Sequence, residues 1–250
     1  LIKNRMKTLI IIPSRLSATR LPGKPLLKIN GKSIISHVVK KAEEANIGEV
    51  YVATEDDEII KEVEKNGGQA ILTSRDNKTG TDRIYEALKK LKNTNAELIM
   101  NLQGDEPLMN IEDLRNLQKL MIKFKFELGT LGSNILKSEQ YKNQNIVKVI
   151  TKKNLNQHQF SEAIKFSRKL TTIPQNTYHH LGVYCYQREI LQKFVSLSQS
   201  ESETKNNLEQ LRALDNNINI NVAFAKESPI GVDTEEDFLA IKKIMEYKSQ

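Results

Sequence analysis

Short apolar runs alternate with longer amphipathic stretches through the first half of this chain, and this alternation constrains the fold most. Strand patterns that alternate with helix patterns are typical of βα units, which build a mostly parallel sheet. Strands are predicted at residues 8–12, 49–54, 69–73 and 97–102. Helices are predicted at residues 33–46, 56–66, 81–92 and 111–123. The first half therefore predicts an α/β fold.

Single residues indicate where some of these elements begin and end. Pro13 is expected to end the first strand, because proline has no amide proton to donate. Ser33 is expected to cap the first helix, Gly67 to follow the second, and Thr234 to cap a closing helix. Residues 1–5 precede the first strand without apolar periodicity, so we do not expect them to dock on the fold.

The alternation of strand patterns with helix patterns stops between about residues 125 and 200. Strand patterns there follow one another with few helices between them, at residues 126–135, 145–151, 160–167 and 180–186. Helix patterns return at residues 187–195 and 203–214, and a further strand is predicted at 218–225. A chain of 250 residues can bury one sizeable core. We therefore expect one domain over residues 1–250, with an antiparallel insertion over roughly residues 125–200.

The loop after the first strand carries three cations, Arg15, Arg20 and Lys24. It lies at the carboxyl end of a strand, where open α/β sheets bind ligands, and prolines on both sides of its glycine stiffen the turn around Lys24. Three such cations can surround several phosphate oxygens, which predicts a polyphosphate site. The alternative is a solvated basic loop. The chain has no GxxxxGK[ST] and no GxGxxG, which excludes an ordinary P-loop and a dinucleotide fingerprint.

A carboxylate is predicted to face this loop. Asp105 follows the strand at residues 97–102 and so emerges at the same edge of the sheet. A carboxylate that faces a triphosphate site implies a cation between them, and Mg²⁺ prefers carboxylate, water and phosphate oxygens. Asp233, in a loop after the last predicted strand, is the second candidate. The alternatives are a turn aspartate at Asp105 and a helix-start acid at Asp233.

The segment at residues 78–83 is a candidate for base recognition. Gly80 allows close approach of the backbone, Thr81 is expected to cap the helix, and Arg83 can donate hydrogen bonds to pyrimidine acceptors. The alternative is an ordinary capped helix start, which explains Thr81 fully.

Composition argues against binding to nucleic acid or membrane. The formal net charge is +7, but lysine outnumbers arginine 29 to 9 and is spread along predicted solvent faces of helices. Aromatic residues make up only 6% and tryptophan is absent, which leaves little for base stacking. No apolar run reaches the roughly 18 residues needed to span a bilayer, and the start lacks the layout of a signal peptide. We therefore expect no nucleic-acid partner, no membrane insertion and a cytoplasmic location.

The number of cysteines excludes two features that need more than one. Cys185 is the only cysteine, so an internal disulfide and a cysteine-based zinc cluster are both excluded. It falls in an apolar strand pattern, where a buried and inert thiol is expected.

Several of these segments together resemble one family. The loop reads IIPSRLSATRLPGKPL and is followed in order by KTGTDR at 78–83, NLQGDEP at 101–107 and GVDT at 231–234. This set resembles the 3-deoxy-manno-octulosonate (Kdo) cytidylyltransferases, or CMP-Kdo synthetases, among the sugar nucleotidyltransferases. NIVKV at 145–149, HLGVY at 180–184 and LEQLR at 208–212 extend the resemblance over nearly the whole chain.

The resemblance implies a Rossmann-like, three-layer nucleotidyltransferase fold with a mostly parallel central sheet and an antiparallel insertion. It also implies an enzyme that uses Mg²⁺ to transfer the cytidylyl group of CTP to Kdo, releasing pyrophosphate, for lipopolysaccharide synthesis. The insertion supplies a dimer contact in the family, which implies a homodimer. The alternatives are a cytidylyltransferase for another acidic sugar, such as a CMP-sialate-type enzyme, and a non-catalytic nucleotide-binding protein of the same fold.

The resemblance further assigns roles to residues. The residues implied in catalysis are Arg15, Lys24, Asp105 and Asp233, of which Asp105 and Asp233 hold the metal. Those implied in CTP binding are Arg15, Arg20, Lys24, Gly80, Thr81 and Arg83. Those implied in sugar binding are Gln103, Arg168, His180, Tyr184, Glu209 and Gln210, with Arg168 on the sugar carboxylate. Taken singly, His180 and Tyr184 could be ordinary strand residues, and Glu209 could be one of many surface acids.

Overall fold

The computed structural model describes residues 6–17, 20–92 and 94–247, so the expectation for residues 1–5 lies outside the described residues. The strands are β1 (Thr8–Ser14), β2 (Lys28–Ile29), β3 (Lys32–Ser33), β4 (Gly48–Thr54), β5 (Ala70–Leu72), β6 (Leu98–Asn101), β7 (Leu128–Ser133), β8 (Lys148–Thr151), β9 (Ser161–Ser167), β10 (Thr177–Gln187) and β11 (Ile220–Ala225). The α-helices are α1 (Ile34–Glu44), α2 (Asp57–Lys65), α3 (Gly80–Lys90), α4 (Ile111–Phe124), α5 (Ser138–Lys142), α6 (Arg188–Ser196), α7 (Glu201–Asn206), α8 (Leu211–Asp215) and α9 (Glu235–Tyr247). A short 3-10 helix covers Lys24–Leu26. Within the described part of the chain, no helix is long and apolar enough to cross a membrane.

The chain divides into two compact units. The first unit comprises Leu1–Ile111 and Pro229–Gln250, and the second comprises Glu112–Ser228. The segment predicted as an insertion, residues 125–200, lies entirely within the second unit. The single domain over residues 1–250 stays a prediction.

The sheet of the first unit is parallel, as the alternation of strands and helices predicts. Its strand order is β5-β4-β1-β6, and each neighbouring pair is parallel. β1 is paired on both sides, and its residues from Leu9 to Ile12 are buried. A strand covered on both faces needs a continuous apolar run, which is the pattern that the sequence shows there.

The expectation that Pro13 ends the first strand was wrong, because β1 continues to Ser14. Ile11 accepts a hydrogen bond from the Leu102 amide on the side of β6, so the nitrogen of Pro13, two residues on, faces the same side. The ladder with β6 has ended there, whereas pairing with β4 continues. The missing amide proton of Pro13 therefore costs no ladder hydrogen bond.

Three predicted helix boundaries are confirmed. The Oγ of Ser33 accepts the Ser36 amide at 3.3 Å, at the start of α1. Gly67 follows α2 with φ +85°, and its amide donates to the Glu64 carbonyl at 3.0 Å. Glycine adopts this left-handed conformation without steric cost, which lets it close the helix end. Thr234 caps α9 through its hydroxyl.

The predicted cap of the third helix was wrong by two residues. Thr79, and not Thr81, caps α3, because Thr79 Oγ1 accepts the Asp82 amide at 3.1 Å. The Asp82 carboxylate accepts the Thr79 amide in return, also at 3.1 Å. This reciprocal pair is a capping box, with the acid three residues after the cap. Thr81 instead lies inside the helix and is buried.

The second unit contains the antiparallel strands that the sequence predicts. β8 pairs antiparallel with both β9 and β10, and β10 pairs antiparallel with β7. β11 pairs parallel with β7 and antiparallel with β9. The antiparallel character expected for residues 125–200 is therefore confirmed, and the short helix α5 is an addition that the sequence pattern did not predict.

The single helix expected at residues 203–214 was wrong. Two short helices, α7 and α8, occupy this stretch, and Asn207, the C-cap residue that follows α7, has φ +50°. Asparagine tolerates the left-handed conformation better than most residues, so it can end a helix here. After the turn, Arg212 of α8 donates to Glu203 of α7 in a buried ion pair, at 2.6 and 2.9 Å.

Candidate active site

A cleft of the first unit brings together most of the residues predicted to bind the nucleotide. It lies where β1 and β6 end, which is the edge of an α/β sheet that binds ligands. The predicted residues that line it are Arg15, Arg20, Lys24, Gly80, Arg83, Gln103, Asp105 and Asp233. Thr81 is not among the lining residues, because it faces the interior of the unit.

The basic loop is held in a fixed turn. Gly23 has φ +71°, and its amide donates to the Leu16 carbonyl at 3.0 Å. Pro25 is buried within the 3-10 helix that follows. Lys24, between them, is thus presented from a rigid backbone, as the prolines and the glycine of the sequence predict.

The ammonium of Lys24 lies among oxygen atoms of the two candidate metal ligands. Its Nζ is 2.5 Å from Asp105 Oδ2 and 3.5 Å from Asp233 Oδ1, and it also donates to the Val232 carbonyl at 2.9 Å. The second oxygen of Asp233 lies 3.2 Å from Nη2 of Arg20. Two carboxylates from distant segments therefore converge on one point of positive charge.

This pair of carboxylates fits a Mg²⁺ site of a particular kind. Among the described residues there is no cluster of three or more His, Cys, Asp or Glu side chains that could hold a metal alone. Mg²⁺ is commonly bound by one or two carboxylates, with waters and substrate phosphates completing its octahedron. Asp105 and Asp233 supply such a pair, and they already stabilise a cation at the point where they meet.

Glu106 is a member of the site that the sequence analysis missed. Its Oε2 is buried and has no hydrogen-bond partner in the described part of the protein. Burial, followed by the charges of Asp105 and Asp233, raises the pKa of Glu106 to about 8, although Lys24 opposes the shift. Glu106 is therefore mostly neutral at pH 7, which leaves the negative charge of the cleft on the two aspartates. Two adjacent acids in a sequence are typical of an exposed turn, so nothing in the sequence indicated that one oxygen of Glu106 is buried.

The side chain of Arg83 is buried and held by two other side chains, although a residue in the first turn of a helix is often exposed. Its side chain is only 4% exposed and forms an ion pair with Glu55. Its Nη1 also donates to Thr73 Oγ1 at 2.6 Å. The guanidinium is thus anchored at the wall of the cleft by Glu55, a residue that the sequence analysis did not single out. Its role in base recognition stays a prediction.

Gly80 borders the same wall of the cleft. A Cβ atom at this position would lie 3.5 Å from Pro13 Cγ, which is an ordinary van der Waals contact. Packing inside the protein therefore does not require glycine here. The close approach of a ligand to Gly80 stays a prediction.

Five of the six residues predicted to bind the sugar lie in the second unit, and Gln103 lies in the cleft of the first. Arg168 directly follows β9, and its guanidinium donates to the carbonyls of Gln144 at 3.2 Å, Asn206 at 3.3 Å and Asn207 at 3.3 Å. Glu209 and Gln210 come immediately after that turn and lead into α8. The second unit thus places Arg168 beside the backbone that carries Glu209 and Gln210.

His180 and Tyr184 lie on β10 with their ring centroids 5.5 Å apart. The hydroxyl of Thr130 donates its one proton to the Val183 carbonyl at 2.7 Å, so His180 Nε2 donates to that hydroxyl at 3.0 Å. Because the pKa of this imidazole is lowered to about 3, the ring is neutral at pH 7, and with its proton on Nε2 the Nδ1 atom is an acceptor. Burial, and then His179, lowers the pKa of His180 to about 3.

Tyr184 is held in its neutral form in the same way. Burial first, and then Tyr186 and Glu209, raises the pKa of the Tyr184 phenol well above its ordinary value. The influence of Glu209 indicates that its carboxylate lies near this ring. These two rings, with the carboxylate of Glu209, form a polar group on one strand and one turn of the second unit.

Comparison with known proteins agrees with this arrangement. Residues 9–220 match the cytidylyltransferase family model. A 3-deoxy-manno-octulosonate cytidylyltransferase from Bartonella tribocorum is 41% identical over 245 residues, covering 96% of this chain and 99% of the relative. One from Nitrobacter hamburgensis is 39% identical over 245 residues, covering 96% of this chain and 93% of the relative.

A solved structure shows the same likeness in three dimensions. The structure of CMP:2-keto-3-deoxy-manno-octonic acid synthetase complexed with CTP matches with a TM-score of 0.86 and 36% identity, over 97% of this chain and 99% of that chain. A UDP-glucose pyrophosphorylase, only 14% identical, matches with a TM-score of 0.72 and shows the nucleotidyltransferase fold alone. With relatives of about 40% identity over nearly its whole length, this chain belongs to the 3-deoxy-manno-octulosonate cytidylyltransferase family.

Proposed function

We propose that this protein transfers the cytidylyl group of CTP to Kdo, giving CMP-Kdo and pyrophosphate. The observation that carries the proposal is the meeting of Lys24, Asp105 and Asp233 in a cleft that three arginines also line. Cations for a triphosphate and carboxylates for a divalent metal are the parts that phosphoryl transfer needs. The names of the relatives supply the substrates.

The reaction follows from these parts. The anomeric hydroxyl of Kdo loses its proton to water as it attacks the α-phosphorus of CTP in line, forming the new O–P bond while the bond to the pyrophosphate oxygen breaks and pyrophosphate leaves. Arg15, Arg20 and Lys24 stabilise the negative charge that gathers on the departing phosphates. Asp105 and Asp233 would hold Mg²⁺, which offsets phosphate charge and lowers the pKa of a bound hydroxyl. No covalent intermediate with the protein is needed.

Residues of the second unit recognise the sugar. Arg168 binds the Kdo carboxylate, because a guanidinium donates two parallel hydrogen bonds to such a group. Neutral His180 accepts a hydrogen bond from a sugar hydroxyl through Nδ1, while Tyr184, Glu209 and Gln210 bind further hydroxyls. The neutral forms of His180 and Tyr184 suit this task. Neither carries a charge that would attract the sugar carboxylate away from Arg168 or repel it.

The wider setting of the reaction is also part of the proposal. A homodimer, a cytoplasmic location and a place in lipopolysaccharide synthesis are implied by the family to which the chain belongs. Sedimentation velocity of the purified protein tests the dimer. We expect one species with twice the mass of the chain.

The direct test is pyrophosphate release from CTP with a panel of acidic sugars, measured with Mg²⁺ and with chelator. We expect release with Kdo and none without metal. Release with a sialic acid and not with Kdo would instead identify an enzyme for another acidic sugar. CTP binding without release for any sugar would identify a non-catalytic nucleotide-binding protein.

A further inference from the structure

Lys148, on β8, is fully buried, although lysine is among the residues least often found inside proteins. Its Nζ donates to three main-chain carbonyls, those of Asn143 at 2.6 Å, Ile146 at 2.8 Å and Arg168 at 2.9 Å. An ammonium has three protons, so every donor of this side chain is used. Burial of the charge is tolerated because each of its protons is hydrogen-bonded.

These contacts join the loop at residues 143–146 to Arg168, and donors lie on both sides of the connection. The ammonium of Lys148 bonds the carbonyl of Arg168, while Nη1 of Arg168 bonds the carbonyl of Gln144 at 3.2 Å. The loop at residues 143–146 is thus joined to Arg168 through its backbone and through its side chain. We call this set of main-chain carbonyls, with Lys148 and Arg168 as donors, the carbonyl lock.

The lock fixes the guanidinium of Arg168 and still leaves donors free for a ligand. Of its five N–H groups, three point to carbonyls, one each from Nε, Nη1 and Nη2. One N–H therefore remains on each terminal nitrogen. Two such donors on one planar group match the two oxygens of a carboxylate.

The charge of the lock also suits an anionic ligand. The three acceptors of Lys148 are neutral carbonyls, so these contacts do not cancel its positive charge. Burial, and then the charge of Arg168, lowers the pKa of Lys148, which agrees with two cations held close together. A carboxylate that binds Arg168 relieves this repulsion.

We propose that Lys148 is a positioning residue for Kdo recognition, which holds the backbone of Arg168 so that its two free N–H groups meet the sugar carboxylate. The inference rests on the proposed function, in which Arg168 binds Kdo. Lys148 itself does not touch the sugar, since all of its donors are spent within the protein.

The test is a double-mutant cycle on the Michaelis constants for both substrates, with Lys148→Met, Arg168→Ala and the double variant. Lys148→Met should raise the Michaelis constant for Kdo by about tenfold and leave that for CTP within about twofold. Because Lys148 acts through Arg168, the double variant should be no worse than Arg168→Ala by more than about twofold. Lys165→Met, which changes an exposed lysine on β9, is the matched control and should behave as the wild type.

Two results would overturn the proposal. One is a multiplicative effect in the double variant, which would show that Lys148 acts independently of Arg168. The other is an equal rise in both Michaelis constants, which would show general damage to the fold. If Lys148→Met does not fold, Lys148→Gln, which keeps two amide donors, enters the same cycle.

A second measurement separates this proposal from the proposed function. Hydrogen exchange of the wild type and Lys148→Met should show faster exchange at residues 143–147 and 168–169, whether or not the enzyme turns over Kdo. Absence of turnover in the wild type would refute the proposed function, and with it the role of Lys148 in sugar recognition. Unchanged exchange in these segments would refute the lock itself, even in an active enzyme.

Discussion

The ammonium of Lys24 lies 2.5 Å from the carboxylate of Asp105. Lys24 is predicted to contact the triphosphate, and Asp105 is predicted to hold the metal, yet here each is the partner of the other. The lysine thus acts as the counter-ion of the carboxylate. Binding of a metal nucleotide would give both residues new partners at once, with the lysine moving to phosphate oxygens and the carboxylate to the cation.

Replacing Lys24 or Arg15 by alanine should reduce turnover by about two to three orders of magnitude, because each removes a donor to the developing charge. Steady-state pyrophosphate release measures the effect, and thermal melting checks the fold. Lys28→Ala, at an exposed lysine just after the loop, is the control and should keep wild-type turnover. Lys24→Ala or Arg15→Ala enzymes within threefold of wild type would contradict the phosphate assignment.

Replacing Asp105 or Asp233 by asparagine should abolish Mg²⁺-dependent turnover and leave only weak CTP binding through the basic loop. The amide keeps the shape of the side chain but removes the charge that attracts a divalent cation. Isothermal titration of CTP, with Mg²⁺ and with chelator, should show tighter binding with metal in the wild type and no such gain in the variants. Asp57→Asn, on the exposed start of α2, is the control. A normal metal response in both variants would mean that the two carboxylates are structural.

Replacing Arg168 by alanine should raise the Michaelis constant for Kdo far more than that for CTP, because a bidentate contact to the sugar carboxylate is lost. Initial rates over a matrix of both substrate concentrations measure the two constants. Arg75→Ala, at an exposed arginine that does not line the cleft, is the matched control. A weakened CTP constant with an unaltered Kdo constant would move the sugar site elsewhere.

Breaking the buried pair of Glu203 and Arg212 should destabilise the fold strongly. Arg212→Met leaves a buried carboxylate without its cation, which typically costs about 3–5 kcal/mol in unfolding free energy. The double variant Glu203→Gln/Arg212→Met should recover most of this loss. Urea unfolding measures both. Lys152→Met, in an exposed ion pair with Glu162, is the control and should cost less than about 1 kcal/mol.

His180 should make the fold less stable as the pH falls. Its pKa is about 3 in the folded protein and 6.5 when unperturbed, so below pH 6.5 the unfolded chain gains a proton that the folded protein refuses. The stabilisation present above pH 6.5 is therefore lost on acidification, by about 2 kcal/mol at pH 5 for this residue.

Urea unfolding at pH 7.5 and pH 5 checks the effect of His180. His180→Gln should lose less stability than the wild type between these two values, because the group that refuses the proton is gone. His158→Gln, at an exposed histidine, is the matched control. An identical pH dependence in the wild type and His180→Gln would mean that another group is responsible.

The parts of the fold that the sequence predicts are those decided by local pattern. The βα alternation follows from apolar periodicity within each segment, and the caps at Ser33 and Gly67 follow from single residues. The wrong boundaries have nonlocal causes. Pro13 stays in its strand because of where β6 ends, and the helix at residues 203–214 breaks at Asn207, where a buried pair joins its two halves.

The same distinction applies to the site. The sequence predicts that Lys24 and Asp105 meet, because both follow strands that end at one edge of a sheet. It could not show that Arg83 is anchored by Glu55 or that Oε2 of Glu106 is buried without a hydrogen-bond partner in the described part of the chain. Lys148 is the extreme case, since nothing in a lysine on a predicted strand indicates that three carbonyls surround it.

The contact between Lys24 and Asp233 joins residues 209 positions apart in the chain. The first unit obtains its last segment, Pro229–Gln250, only after the whole second unit has been synthesised. During translation the basic loop therefore emerges before the second unit, and its second carboxylate emerges only after that unit. Closing so long a loop costs entropy and slows the last step of folding. A chain truncated before Pro229 cannot assemble the pair, however well its remaining strands fold.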